Sequence, residues 1–237
     1  MHLRPVLLAL TALIIACTPG GGFLEEEQNE ASATIDAGPA ATVSVAGRSN
    51  GDCSISWNGQ AVTAQQLQER GFQLNDSAVQ EIGIANMTEE NTPYLRLEAP
   101  SDVPWVCVRP AVAGIREGVF FHVQLKLADD PDAPFARTEF AFGDRANEPM
   151  GAIGIDGAGS LTWFGETITP ESLTIVAQMA PSPGTGSDVT LAPSDDAPFR
   201  AIHDTARHME REGRTIVFAC FPPDGASGQP SASPPCT

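Results

Sequence analysis

The chain has 237 residues, 42% of them apolar, and carries 30 acidic against 13 basic side chains for a formal charge of −17. So acidic a surface repels nucleic acid and anionic head groups, which excludes them as partners, and otherwise serves solubility. Lys126 is the only lysine, so Schiff-base or phosphate-loop lysine chemistry is confined to that position.

The chain opens MHLRPVLLALTALIIACTPGGG, a basic start followed by an apolar run from Val6 to Ala16 and then Cys17. Such a run is too short to span a bilayer and predicts a signal peptide over residues 1–16. Ile14-Ile15-Ala16-Cys17 resembles the lipobox of bacterial lipoproteins, which implies cleavage before Cys17 and a lipidated thiol, with palmitate-type acyl chains as the membrane anchor. Each buried CH₂ of such a chain contributes about 0.8 kcal/mol. The alternative is an ordinary signal peptide with an incidental Cys17. Thr18 follows the cysteine rather than Asp, and by resemblance to enteric lipoproteins this implies a periplasm-facing position on the outer membrane.

Residues 17–51 are small, polar and acidic with no apolar period, which predicts a flexible tether. Residues 223–237 form a similar Pro/Ser-rich tail. With Cys17 lipidated, Cys53, Cys107, Cys220 and Cys236 remain. An even number in an exported chain suggests disulfides in one of three connectivities. Pairing Cys53 with Cys107 and Cys220 with Cys236 keeps each bond within one repeat or its tail. Metal-binding or reactive thiols lack support, because no Cys-x-x-Cys or Cys/His spacing is present.

The intervening residues contain an internal repeat. Ser54-Ile55-Ser56-Trp57-Asn58-Gly59, followed by Val62, Thr63 and Leu67, aligns with Ser160-Leu161-Thr162-Trp163-Phe164-Gly165, followed by Ile168, Thr169 and Leu173. Each copy reads as a strand, a tight glycine turn, a β-branched pair and a helix, with Thr63 and Thr169 as helix caps and Pro170 at a first helical position. Gly157-Ala158-Gly159-Ser160 reads as the turn entering the second copy's first strand. A second phrase also repeats: Ala99-Pro100-Ser101-Asp102 and Ala192-Pro193-Ser194-Asp195 each follow a short alternating strand.

Pro104 and Pro198 are expected in the first turns of the helices that come next. Their apolar stripes, Trp105, Val108, Val112, Ile115 and Phe199, Ile202, Ala206, Met209, both follow i, i+3, i+7, i+10. Arg200, Asp204, Arg207 and Arg211 fall on the outer face, and Pro110 is expected to kink or shorten the first helix. Gly118 and Gly213 close the helices before a last strand. The reading is α/β (α+β): two tandem β-α-β-α-β modules over residues 52–142 and 143–222, with small mixed sheets and helices packed on one face, able to pair as a pseudo-dimer.

Strand, glycine turn, helix, then strand, Ala-Pro-Ser-Asp turn, proline-aromatic, helix, glycine and strand is similar to the periplasmic domain of the ExbD/TolR biopolymer-transport proteins. The resemblance covers residues 52–127 and 158–222. Members of that family carry a transmembrane helix with a motor aspartate; no later apolar run here approaches eighteen residues, so that chemistry does not carry over. What the resemblance implies is a non-catalytic module that binds an envelope protein or peptidoglycan, with no cofactor.

The competing enzyme reading rests on His203 or His208, with His122 the remaining mature-chain imidazole. His203 and His208 fall on different helix faces and cannot share a metal unaided. His208 and Glu212 are four apart and can meet as a surface pair. Ser160 lacks the Gly-x-Ser-x-Gly elbow of hydrolases. The Asp129–Asp132 and Asp195-Asp196 turns lack calcium-site spacing and read as solvated loops. Trp57 and Trp163 read as core packing, with sugar stacking as the alternative. A third reading makes the modules mere spacers.

Overall fold

A computed structural model describes residues 39–47, 52–88, 91–118, 122–139, 151–179 and 189–219. The expected signal peptide, Cys17, most of the expected tether, Cys220, Cys236 and the expected tail lie outside the described residues. Among the described residues the fold is α+β, with two mixed sheets and four α-helices.

In the first half, β1 (Ala41–Gly47), β2 (Cys53–Trp57) and β3 (Gln60–Val62) are followed by α1 (Ala64–Ile82), β4 (Leu95–Ala99), α2 (Trp105–Gly118), β5 (His122–Leu127) and β6 (Ala136–Glu139). In the second, β7 (Ile153–Ile155), β8 (Leu161–Trp163) and β9 (Glu166–Ile168) precede α3 (Leu173–Met179), β10 (Val189–Pro193), α4 (Phe199–Arg211) and β11 (Ile216–Phe218). The sheet orders are β3-β2-β1-β4-β5-β6 and β9-β8-β7-β10-β11.

Strand directions and registers also correspond. Val43 pairs antiparallel with Trp57 and parallel with Leu97, as Ile153 pairs with Trp163 and Leu191. The first half therefore begins one strand before the expected boundary at residue 52, and in the second β7 falls inside the expected 143–222 module, one strand ahead of the first strand read there. Ala41, Val43 and Val45 alternate buried with half-buried Thr42 and Ser44, so the last part of the expected tether is a central strand. Likewise Gly157–Ser160 links β7 to β8 rather than leading into a first strand.

Local chemistry explains the elements. Asn58-Gly59 and Phe164-Gly165 take positive φ at both central positions, the backbone of a two-residue hairpin turn. Thr63 caps α1 in a capping box: its hydroxyl accepts from Gln66 N–H at 3.1 Å and Gln66 Oε1 accepts from Thr63 N–H at 2.9 Å. Gly213, at φ 69°, ends α4 with Gly213 N–H on Glu210 O and Arg214 N–H on Met209 O, both 2.9 Å. Helix α2 runs on through Pro110 to 14 residues and is not shortened. All eight stripe residues of α2 and α4 are buried.

Pro104 and Pro198 stand just before the helices, not inside them, and bridge each other. Around them the two halves trade hydrogen bonds. Trp105 N–H donates to Ala197 O at 2.8 Å and Phe199 N–H to Val103 O at 2.9 Å, while Val106 N–H donates to Asp195 O and Arg200 N–H to Ser101 O at 2.9 Å. The first donors of each helix, which have no partner inside it, thus end on the other half's turn. Trp105 stacks on Phe218 across the same joint, ring centroids 4.9 Å apart.

Cys53 and Cys107 form a disulfide, Cα atoms 5.2 Å apart, closing a loop of 54 residues. By registry Gly159 and Ala201 occupy the matching places in the second half, and a Cβ on Gly159 would lie 3.3 Å from Ala201 Cβ. Replacing Cys53 and Cys107 by Ala should lower stability by about 4 kcal/mol in urea titrations, the loop-closure value for that length.

Candidate functional site

The β5–β6 connection is folded around the chain's one ammonium. Lys126 Nζ donates to the carbonyls of Asp130 (3.2 Å), Pro131 (2.6 Å) and Ala133 (2.7 Å), and lies 5.2 Å from the Phe135 ring, over which Arg96 also sits at 4.5 Å. Those bonds need the protonated amine, so Lys126 is a structural donor.

The loop so shaped docks on α4. Pro134 O accepts from the ring of His203 at 2.9 Å, Phe135 O from Arg207 at 2.6 Å, and the Asp130 carboxylate pairs with Arg200 at 3.2 Å. Asp195 pairs with Arg109 at 2.6 Å. The acidic turns expected as solvated loops therefore bridge the halves. Each such exposed pair contributes at most about 1 kcal/mol, so their part is orientation. Asp129 accepts from both Ser101 N–H (2.9 Å) and Ser101 Oγ–H (2.6 Å). The Ser101 hydroxyl holds its carboxyl below the ordinary aspartate value.

The histidines are separated, as their spacing requires. His203 is 1% exposed, with Nε2 on Pro134 O and Nδ1 2.9 Å from Asp204 Oδ1. His208 meets Glu212 at 3.8 Å, but a hydroxyl lies between: Thr174 Oγ–H donates to Glu212 Oε1 at 3.0 Å, and His208 Nε2 is 3.1 Å from the same Oγ. Arg211 Nη2 is 3.4 Å from His208 Nδ1. The partners assign the proton to Nε2, and the threonine proton points at the carboxylate rather than at the imidazole. The His122 side chain lies outside the described residues. Among the described residues no group of three or more His, Cys, Asp or Glu side chains converges to hold a metal ion, and no helix is long and apolar enough to cross a membrane.

Trp57 is 9% exposed and packs in the core. Its counterpart Trp163 is half-buried, donates Nε1–H to Gly151 O at 3.0 Å, and lies 4.7 Å from the ring of Phe164, which is 67% exposed at positive φ.

The feature that sequence reading did not find is a groove of about 680 Å³ along α4. Leu161, Ile168, Leu173 and Ala201 supply apolar lining; Asp102, Asp204, Arg200, His208 and Arg211 supply charge or polarity. It lies where the two halves differ. In the first half Gly114 lets α1 approach so closely that an added Cβ would sit 3.0 Å from Ala64 O and 3.2 Å from Leu67 Cδ2. His208 occupies the matching position on α4, and among the described residues α3 spans 7 positions where α1 spans 19. The signal was present as Gly114 aligned against His208, but only packing turns it into a cavity. Such a volume is typical of ligand sites.

The lowered Asp129 value makes its ionised form a stabilising one, present above the ordinary aspartate pKa and lost as pH falls through the lowered value. An NMR pH titration should place Asp129 below ordinary aspartates, and Ser101→Ala should move it up. Lys126→Met should lower stability by about 2 kcal/mol in denaturant titration, the scale of a lost charged donor with carbonyls left unpaired.

Compared with protein-family models, curated proteins and solved structures, this chain has no match.

Proposed function

We propose that this protein is a cell-envelope lipoprotein, anchored through Cys17 and facing the periplasm, that presents two tandem ExbD/TolR-like modules to an envelope partner and acts by binding rather than catalysis, in a role linked to biopolymer transport. The matching strand orders and registers of the two sheets support the tandem reading. The observation that carries a binding role is the open groove on α4, where the first half is closed by α1 against Gly114. The environments of His203 and His208 agree with it: one ring is buried and engaged at both nitrogens, the other is tied to Thr174.

Two measurements test the reading in cells. Palmitate labelling should be present in the wild type and absent in Cys17→Ser. Photo-crosslinkers at exposed positions of both halves should give a discrete envelope adduct in the anchored protein. Unlabelled wild type would remove the anchor, and loss of cellular function in His208→Gln with folding and adduct intact would favour the enzyme reading.

A further inference from the structure

The imidazole of His203 is buried on α4, and both of its nitrogens face oxygen. Nδ1 lies 2.9 Å from Asp204 Oδ1, and Nε2 lies 2.9 Å from Pro134 O. A carboxylate and a peptide carbonyl only accept, and a neutral imidazole has a single proton to give. Both bonds therefore form together only when the ring is an imidazolium. Its two partners belong to different elements: Asp204 to α4 itself, and Pro134 to the β5–β6 connection docked on it.

The charges around the ring are nearly balanced. On α4, Arg200 pairs with Asp130 at 3.2 Å, while Arg207 donates to Phe135 O at 2.6 Å and lies 4.0 Å from Glu210. His208 and Arg211 stand further along the helix, towards Thr174 and Glu212. Strand β5 brings His122 and Lys126, β6 brings Arg137 and Glu139, and the connection between them brings Asp129, Asp130 and Asp132. Lys126 is held by three carbonyls, Asp129 by Ser101, and Arg96 of β4 sits over Phe135. Helix α3 and strands β10 and β11, which also pack on α4, hold no titratable side chain within their bounds. Arginine and lysine side chains change charge above, and carboxylates below, the range in which histidine does.

Hydrogen bonds to a carboxylate are roughly twice as strong as those between neutral groups. A ring left with one proton therefore keeps it on Nδ1, facing Asp204. The bare Nε2 then confronts Pro134 O, two acceptors at hydrogen-bond distance, and they part.

We propose that His203 is a protonation latch: its imidazolium pins the β5–β6 connection to α4 through Pro134 O, and loss of the Nε2 proton as pH rises frees that contact. The bonds at Phe135 O and Asp130 remain, so the connection loosens without leaving the helix. The latch is independent of the binding role above.

The test is a nitrogen NMR titration of the full chain from about pH 5 to about pH 8. His203 should hold protons on both nitrogens at the acid end and lose the one on Nε2 as pH rises. The Ala133 amide donates to Asp130 O at 3.1 Å. Its hydrogen-exchange protection, corrected for intrinsic rates, should fall about fivefold with the same midpoint, the scale of one net hydrogen bond. In Asp204→Asn the side-chain amide can donate to a bare Nδ1, so the single proton stays on Nε2 and the Ala133 response should vanish. His208→Gln should leave that response unchanged. A His203 ring in one protonation state across the range, loss of the proton from Nδ1, a flat Ala133 response, or a response that survives Asp204→Asn would each overturn the proposal. So would a response that His208→Gln abolishes with folding intact.

Discussion

The joint between the halves rests on a shortage that every helix has: its first amide groups point along the axis and find no carbonyl within it. Here two helices solve the problem for each other. The turn before α2 lends its carbonyls to α4, and the turn before α4 lends its carbonyls to α2. The exchange fixes the distance and angle between the helices, and the other joint contacts follow from it. Trp105 stacks on Phe218 beside the bridged prolines. An isolated half would have to give these donors to water. This is why the repeated Ala-Pro-Ser-Asp phrase does more than start a helix.

The halves are alike in plan and unlike in finish. The first has a disulfide, a long α1 seated on Gly114, and an extra edge strand, β6. The second has Gly159 against Ala201, a short α3 and His208. Strand β6 packs against α4, and its preceding loop places Pro134 over His203, so α4 is covered from two sides and the imidazole is buried. The equivalent of His203 is Arg109, which remains half-exposed and pairs with Asp195. The two halves share a strand order, and differences at a few positions on α4 leave one face closed and the other open among the described residues.

The stripes on α2 and α4 could be read from spacing because i, i+3, i+7, i+10 has one geometric meaning. The same holds for Thr63 as a cap and Gly213 as a stop, where local chemistry decides the outcome. The strand Ala41–Gly47 escaped notice because its apolar residues are small and its neighbours are Ser, Thr and Gly, a composition that resembles tether. Its burial comes from pairing with β2 and β4, which are remote or reversed in sequence. Asp130 and Asp195 looked solvated for a related reason: the arginines that engage them are 70 and 86 residues away. The groove was the least legible, because it depends on a space that the described residues leave open.

Lys126 has one more implication. The protein's only side-chain amine is enclosed by three carbonyl oxygens of its own turn. An acylating reagent needs the lone pair of the neutral amine, which those three bonds to a half-buried ammonium oppose, so the rate of modification at this single atom rises as the segment that clasps one half to the other loosens.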